Sequence, residues 1–334
     1  MDIKIYAPVI IPTLNRFEKF KKCLESLEAC TGADKTDVYV SLDYPPSEKY
    51  VEGWKKIDSY LQLKEIQNNF RTLNVIRRTY NYGLKGYRRN SKVLVDDIFK
   101  TYDRFIFSED DNVFSPNFLE YMNKGLQIYE NDRRVYAICG YKNDFKCKYG
   151  DNNHFANFCM VQAWGYGVWR NKYYAAEDII TPAYYKSILF NWKKCLKFYK
   201  YNPVWFGSLV KSAKSTNRYL PLHDVNMSFY ILNENMYAIS PIASKVRNLG
   251  YDGEATTTSL SRGKFLERAN IENNLIIDKE STFEFKGDPF CFAEENSYNT
   301  TIWDQKWEEN YKPSLLRIIA RIIKFRLECL LGKY

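Results

Sequence analysis

The chain has 334 residues, 45% of them hydrophobic and 17% aromatic, with a formal net charge of +9. That length suits one large α/β domain or two smaller ones. No run of about 18 apolar residues marks a membrane span, and the scattered Lys and Arg carry no zinc-finger or RNA-binding signature, which argues against nucleic acid as a partner.

The 8 Cys residues form no CxxC pair and read as reduced thiols of a cytoplasmic protein. Asp2 and Lys4 precede only a short apolar run, which is no signal-peptide pattern. The 28 Tyr and 21 Phe residues suit a sugar-binding cleft, where rings pack on C–H faces and hydroxyls meet polar edges. Ordinary core and surface usage accounts for them equally well.

In chain order, Ile3 to Ile11 predicts a buried strand closed by Pro12-Thr13-Leu14-Asn15. Residues 16–29 carry Phe17, Phe20, Cys23, Leu24 and Leu27 at helical spacing. A second strand is predicted over Asp37 to Leu42, ending at Asp43. A helix over Val51 to Leu63, a strand over Leu73 to Arg77 and a helix over Asn90 to Tyr102 follow. The strand Arg104 to Ser108 runs straight into Glu109-Asp110-Asp111, and Ser115-Pro116 opens a helix over Asn117 to Gln127. Val135 to Cys139 is a fifth strand. This alternation predicts an α/β fold with a mostly parallel, twisted sheet flanked by helices.

In such sheets ligands sit beyond the carboxyl ends of the strands. Thr13 to Arg16, Asp43 and Glu109-Asp110-Asp111 all fall at such ends. Three adjacent acids repel one another and are costly to bury unless a cation offsets them. Hard Mg²⁺ or Mn²⁺ ions take such oxygens and share them with substrate phosphates. The plainer reading is an acidic turn before a helix N-terminus, where the dipole favours acids.

The second half is less regular. Gln162 to Arg170 mixes Trp164, Tyr166 and Trp169 with Gly165 and Gly167. It reads either as a packed irregular strand or as the wall of a donor-sugar or acceptor pocket, with the glycines permitting close backbone approach. Tyr184 to Tyr201 is a basic, aromatic helical stretch. Leu222 to Leu232 reads as a helix with His223 and Asp224 near its start, where Asp224 could simply cap it. Tyr237 to Pro241 is a short strand, and Asn248 to Thr258 a Gly- and Thr-rich loop suited to a flap. The tail over residues 313–333 is a basic amphipathic helix. It would either anchor at an anionic membrane surface or dock on the domain or a second subunit; no Trp lies within it.

Taken together, Pro8 to Arg16, Val38 to Asp43, Phe107 to Asp111, Ala163 to Trp169, Asp224 and Ser244 to Gly253 resemble the GT-A (Rossmann-like) glycosyltransferases. The likeness is to the inverting branch of N-acetylglucosaminyltransferase I and bacterial family 2 enzymes. The resemblance covers residues 5–258 and implies a transferase domain over 1–258. Within it, 1–140 would be the nucleotide-binding half and 141–258 the acceptor and catalytic half, followed by a 259–334 extension. It implies a nucleotide-sugar donor, with UDP favoured, and a saccharide or lipid-linked saccharide acceptor in surface polysaccharide synthesis. The enzyme would be cytoplasmic, peripheral on the inner face of the cell membrane if the tail binds there.

The resemblance also implies roles. Thr13 belongs to the nucleotide-binding loop, Arg16 and Asp43 would contact uracil or ribose, and Glu109 and Asp110 the ribose and sugar-phosphate. Asp111 would ligate Mn²⁺ or Mg²⁺. Asp224 would be the catalytic base, with His223 and then Glu177-Asp178 as weaker alternatives. Trp164, Gly165, Tyr166 and Trp169 would wall the sugar pocket. Related sequences carry a His where this chain has Thr256-Thr257-Thr258, so Lys245 and Arg247 would supply charge to the leaving diphosphate instead. Two competing readings stand beside this one. A sugar nucleotidyltransferase lacks support, because no Gly-rich, Lys-containing loop follows the first strand. A non-enzymatic carbohydrate-binding protein on the same fold would show neither metal dependence nor donor turnover.

Overall fold

The apolar strands alternate their side chains between two cores. The computed structural model describes residues 2–3, 5–83, 89–142, 151–203, 205–217, 220–251, 275, 277–292 and 313–334. Ten strands are described: β1 (Val9–Thr13), β2 (Asp37–Leu42), β3 (Thr72–Arg77), β4 (Arg104–Phe107), β5 (Asn112–Phe114), β6 (Val135–Cys139), β7 (His154–Asn157), β8 (Tyr166–Trp169), β9 (Tyr237–Pro241) and β10 (Val246–Asn248). The helices among the described residues are α1 (Phe17–Glu28), α2 (Glu48–Ile66), α3 (Asn90–Ile98), α4 (Phe118–Ile128), α5 (Arg170–Ile179), α6 (Pro182–Phe190), α7 (Trp192–Tyr201), α8 (Phe206–Ala213), α9 (Asp224–Glu234) and α10 (Leu315–Leu330).

Eight strands form one sheet in the order β3-β2-β1-β4-β8-β6-β9-β7. β8 and β7 run against the other six. The α/β class with a mostly parallel, helix-flanked sheet is therefore as the sequence predicts. Val9, Ile11, Val38, Val40 and Ile106 face the core shared with α1, α2 and α4. Ile10, Phe105, Tyr136 and Val168 face the core shared with α3 and α5 to α10. Burial on both faces is why these strands read as continuous apolar runs rather than alternating ones.

Strand order reverses between β1 and β4. From β1 the chain steps outward through β2 and β3, then returns to the other side of β1 with β4. On its β1 side, β4 pairs only with Val9 and Ile10 before it ends. The carbonyl of Ile10 accepts from Ser108 N, so Pro12, two residues on, points its missing N–H to the side where β4 has already left. A proline is tolerated in this central strand for that reason. The divergence opens a crevice at the switch point, where ligands of doubly wound sheets lie.

Several elements differ from expectation. β1 begins at Val9, not Ile3, because its pairing with β2 starts there. α3 stops at Ile98, followed by a turn in which Thr101 N donates to Ile98 O. The stretch 184–201 is two helices, since Asn191 caps α7 with its side chain accepting from Lys194 N. β5, β7, β10, α5 and α8 were not anticipated. β5 is a three-residue strand whose partner is the distant β10, and no local period signals such a pairing. The predicted flap beyond Tyr251 lies outside the described residues.

Strands from 1–140 and from 141–258 share the one sheet. From the predicted 259–334 extension, Phe283 and Phe285 pack on Tyr121 of α4. α10 packs on α6 and α8 through Ile318, Ile322 and Phe325.

Candidate functional site

The crevice beyond β1 and β4 gathers the acids and their counterion. Arg16 immediately precedes α1, whose buried Phe20, Cys23, Leu24 and Leu27 fix the helix on the sheet. From there its guanidinium forks across two carboxylates. Nη1 donates to Asp111 Oδ2 at 2.7 Å, and Nη2 to Asp110 Oδ1. Burial alone would lower the pKa of Arg16, but the adjacent Asp110 and Asp111 raise it, so it stays a cation. Thr13 Oγ1, at the end of β1, donates to Asp110 Oδ2 at 2.8 Å.

The other oxygen of Asp111 is held from across the molecule. Asn248 Nδ2 donates to Asp111 Oδ1 at 2.7 Å and to Asn112 Oδ1 at 3.0 Å, and Gly250 N donates back to Asn248 Oδ1 at 2.8 Å. The β5–β10 ribbon sets this up by pairing Asn248 with Asn112. A Cβ on Gly250 would stand 2.5 Å from Asp111 Oδ2, so the backbone approaches the carboxylate as only glycine allows.

Two of these acids are pushed toward the neutral form. Burial raises the pKa of Asp110, opposed by Arg16. Glu109 keeps some solvent contact, yet burial, with the charges of Asp111 and Asp224 added, pushes it up to about 8. The influence of Asp224 on Glu109, and on the phenol of Tyr166, brings the predicted base and the acidic cluster into one electrostatic neighbourhood. Asp224 is the first residue of α9, its carboxylate accepting from Val225 N at 2.8 Å. His223 precedes it with Nδ1 3.3 Å from Asp224 Oδ1, and both side chains are more than two-fifths exposed. An accessible carboxylate at a helix start can accept a proton from a bound hydroxyl. Arg89 Nη2 donates to Leu222 O at 2.8 Å, tying α3 to the segment that presents His223 and Asp224.

A divalent cation fits the donor chemistry of this cluster. Asp111 and Glu109 are hard oxygen donors, and Mg²⁺ sites commonly use one or two carboxylates plus phosphate and water. Asp111 already accepts from Arg16 and Asn248, but a carboxylate has about four acceptor positions. Among the described residues no three His, Cys, Asp or Glu side chains form a ready protein cage.

Other predicted site residues fall elsewhere. Asp43 sits at the end of β2 but is occupied by the loop after β3. It accepts from Tyr82 N at 2.9 Å, Gly83 N at 3.0 Å and Tyr44 N at 3.0 Å. It therefore shapes that loop, where the Tyr80 and Tyr82 rings lie 4.3 Å apart. Lys245 is buried in an ion pair with Asp278, its ammonium 4.4 Å from the Phe283 ring centre; its charge serves the fold rather than the crevice. Arg247 donates through Nη2 to Leu275 O. Glu177 of α5 is buried 3.3 Å from Lys92 of α3, a structural pair that joins the two helices.

The aromatic stretch divides in two. Tyr166 pairs with Phe107 at the crevice end of β8, whereas Trp169 pairs with Arg104 at the opposite end. There Trp169 Nε1 donates to Leu126 O at 3.2 Å and Lys172 lies 3.9 Å over its ring. Trp169 is thus a core residue at the far end of the strand from the acids. Trp164 meets Tyr141 and Tyr251 edge-on, at 4.6 and 5.9 Å. Gly165 has φ +69°, and a Cβ there would stand 2.9 Å from both Phe118 and Val246; the close approach it permits is to protein, not to a sugar.

Asn248, Asn112 and Arg89 are the residues sequence reasoning passed over. Their amide and guanidinium groups are common surface chemistry, and only the long-range β5–β10 pairing marks Asn248.

No protein-family model matches the chain, and no curated protein matches it. Among solved structures, S. aureus TarS is similar at 16% identity and a TM-score of 0.29, over 45% of this chain and 24% of that one. The S. aureus TarS 1–349 structure is similar at 14% identity and a TM-score of 0.35, over 52% of this chain and 50% of that one. This chain thus spans half or less of either. The α/β class rests on the strand order and directions described above.

Proposed function

We propose that the chain is an inverting glycosyltransferase using a nucleotide-activated sugar, with UDP the first donor to test. One observation carries this reading: the ends of β1 and β4 bring Thr13, Arg16 and Glu109-Asp110-Asp111 together at the switch point, within electrostatic reach of Asp224. Arg16 and the Thr13 loop would orient the donor diphosphate. Asp111, with Glu109 beside it, would hold a Mg²⁺ or Mn²⁺ ion. When bound, that ion would neutralise the negative charge that collects on the departing diphosphate.

Asp224 would take the proton from the acceptor hydroxyl as its oxygen attacks the anomeric carbon. The new C–O bond forms on the face opposite the breaking bond to phosphate, and the nucleoside diphosphate leaves with that bonding pair. Tyr166, buried beside Phe107, and Trp164 would border the sugar. The acceptor class, a saccharide or lipid-linked saccharide, follows from the resemblance.

The test is a panel of UDP-, GDP- and dTDP-sugars with saccharide acceptors, reading nucleoside diphosphate release and the anomeric configuration of the product. Acceptor-dependent release with inversion, lost in Asp224→Asn, supports the reading. Retention of configuration, or full activity in Asp224→Asn, contradicts it.

A further inference from the structure

α10 has two apolar faces, and the fold covers one of them. Ile318, Ile322 and Phe325 are buried against α6 and α8. Leu316, Ile323, Leu327 and Leu330 are exposed, Leu316 at 79% and Leu330 at 77%. At about 100° per residue these four lie within an arc of roughly 60°, on the side away from the docked face. Docking alone does not require this second stripe.

Beside the stripe, Arg326 ties α10 to the α6–α7 turn. Arg326 lies 4.2 Å over the Trp192 ring and 5.6 Å from the Phe190 ring, and donates to Leu189 O at 2.8 Å. Phe190 and Trp192, at the α6–α7 turn, are themselves exposed, as is Leu196 one turn along α7. The Trp that the tail lacks in sequence is thus supplied beside it by the fold.

The charge around this patch has one sign. Residues 313–334 carry Arg317, Arg321, Lys324, Arg326 and Lys333 against Glu328 alone, and 192–201 carry Lys193, Lys194, Lys197 and Lys200 with no acid. Glu328 is neutralised by Lys214 at 2.5 Å. Between α8 and α10 a cleft of about 290 Å³ is lined by Gly207, Val210, Lys214, Arg321 and Lys324.

We propose that this face of α10, with the α6–α7 turn, docks on an anionic lipid surface: the Leu stripe and Trp192 enter the headgroup boundary, and the basic cleft receives a lipid phosphate. Apolar residues beside a basic rim are the chemistry of interfacial helices, and each Lys or Arg near such a surface strengthens binding about fivefold. A second copy of the chain meeting this face with the same face would set like charges together. No described helix is long and apolar enough to cross a membrane, so the contact is one of lying on the surface. The inference does not depend on the transferase reading.

The experiment is vesicle flotation of the full chain, with phosphatidylcholine alone and with phosphatidylcholine–phosphatidylglycerol mixtures. Two variants are compared with wild type: L316S/L327S/L330S, and R317Q/K324Q. All five positions are exposed, so the melting temperature should hold. Salt-sensitive binding to the mixed vesicles only, weakened at least tenfold in the Leu variant and several-fold in the charge variant, supports the proposal. No binding to mixed vesicles overturns it, as does equal binding by the Leu variant. A stable dimer in sedimentation equilibrium that the Leu variant dissolves also overturns it, assigning the face to a second copy.

Discussion

Arg16 shows how one residue can make an acidic cluster tenable. Its fork across Asp110 and Asp111 is a charge-assisted, two-acceptor contact that a lysine cannot reproduce. Arg16→Lys is expected to weaken donor binding while leaving the fold intact, measured by calorimetric titration with the nucleoside diphosphate. Asp224, accessible and at the head of α9, is expected to behave oppositely. Asp224→Asn should lower kcat by roughly 10²–10⁴-fold and leave donor affinity near wild type. His154 offers a pH prediction away from the crevice. It is buried, 2.8 Å from the Tyr129 hydroxyl, and burial lowers its pKa from 6.5 to about 4. A group whose folded pKa is depressed contributes stability above its unfolded pKa and loses it on acidification. His154 by itself should therefore remove on the order of 2–3 kcal/mol as pH falls from 6.5 to about 4, while the raised pKa of Glu109 works in the opposite direction. Urea unfolding of wild type and His154→Gln across that window checks this, and equal slopes would refute it. The gathering of Thr13, Arg16 and Glu109-Asp110-Asp111 was legible in sequence because all of them fall at the carboxyl ends of strands in one sheet, whereas Asp224, at a helix start where acids are ordinary, was marked only by the resemblance. The inward turn of Lys245 toward Asp278 was not legible, since a charge gives no sign of which partner it finds.

Among the elements, the small β5–β10 ribbon connects the acidic turn to the far end of the chain. Asn248→Ala would leave Asp111 Oδ1 and Asn112 Oδ1 without a shared donor, at a cost of about 1–3 kcal/mol. Nucleotide binding should weaken in the same variant, read by thermal unfolding with and without ligand. Gly165→Ala would meet both a positive φ and the Phe118 and Val246 side chains. Its unfolding midpoint should fall more than that of a surface Gly→Ala change. The long elements could be read from sequence: β2, β6 and β9 match their predicted bounds, because an apolar run bounded by turn residues leaves little freedom. The three-residue β5 could not, because its existence depends on a partner more than a hundred residues away. Helix ends were displaced where a side chain decided the boundary, as Asn191 does for α7.

For the molecule as a whole, the order β3-β2-β1-β4 creates the crevice, and its alternating apolar strands and amphipathic helices were visible in the sequence. A packed strand was one of the two readings of Gln162 to Arg170, but the antiparallel placement of β8 between β4 and β6 was not visible; Tyr166 to Trp169 has no alternation, as both its faces are buried. Nor could sequence decide between docking and anchoring for the tail, because α10 has an apolar face for each. Its docked face closes the core shared with α6 and α8, so Ile322→Ala should cost about 2–5 kcal/mol, a drop measurable in the unfolding midpoint.

The most direct test of the donor site is thermal unfolding with a series of nucleoside diphosphates, with and without Mn²⁺, on wild type and Asp111→Ala. A ligand that binds the native state at about a hundred times its Kd stabilises it by about 2.7 kcal/mol. The account predicts that UDP raises the wild-type midpoint when Mn²⁺ is present and that Asp111→Ala abolishes the rise. If no nucleoside diphosphate shifts the wild type under any metal condition, the crevice between β1 and β4 is not a donor site and the transferase reading fails.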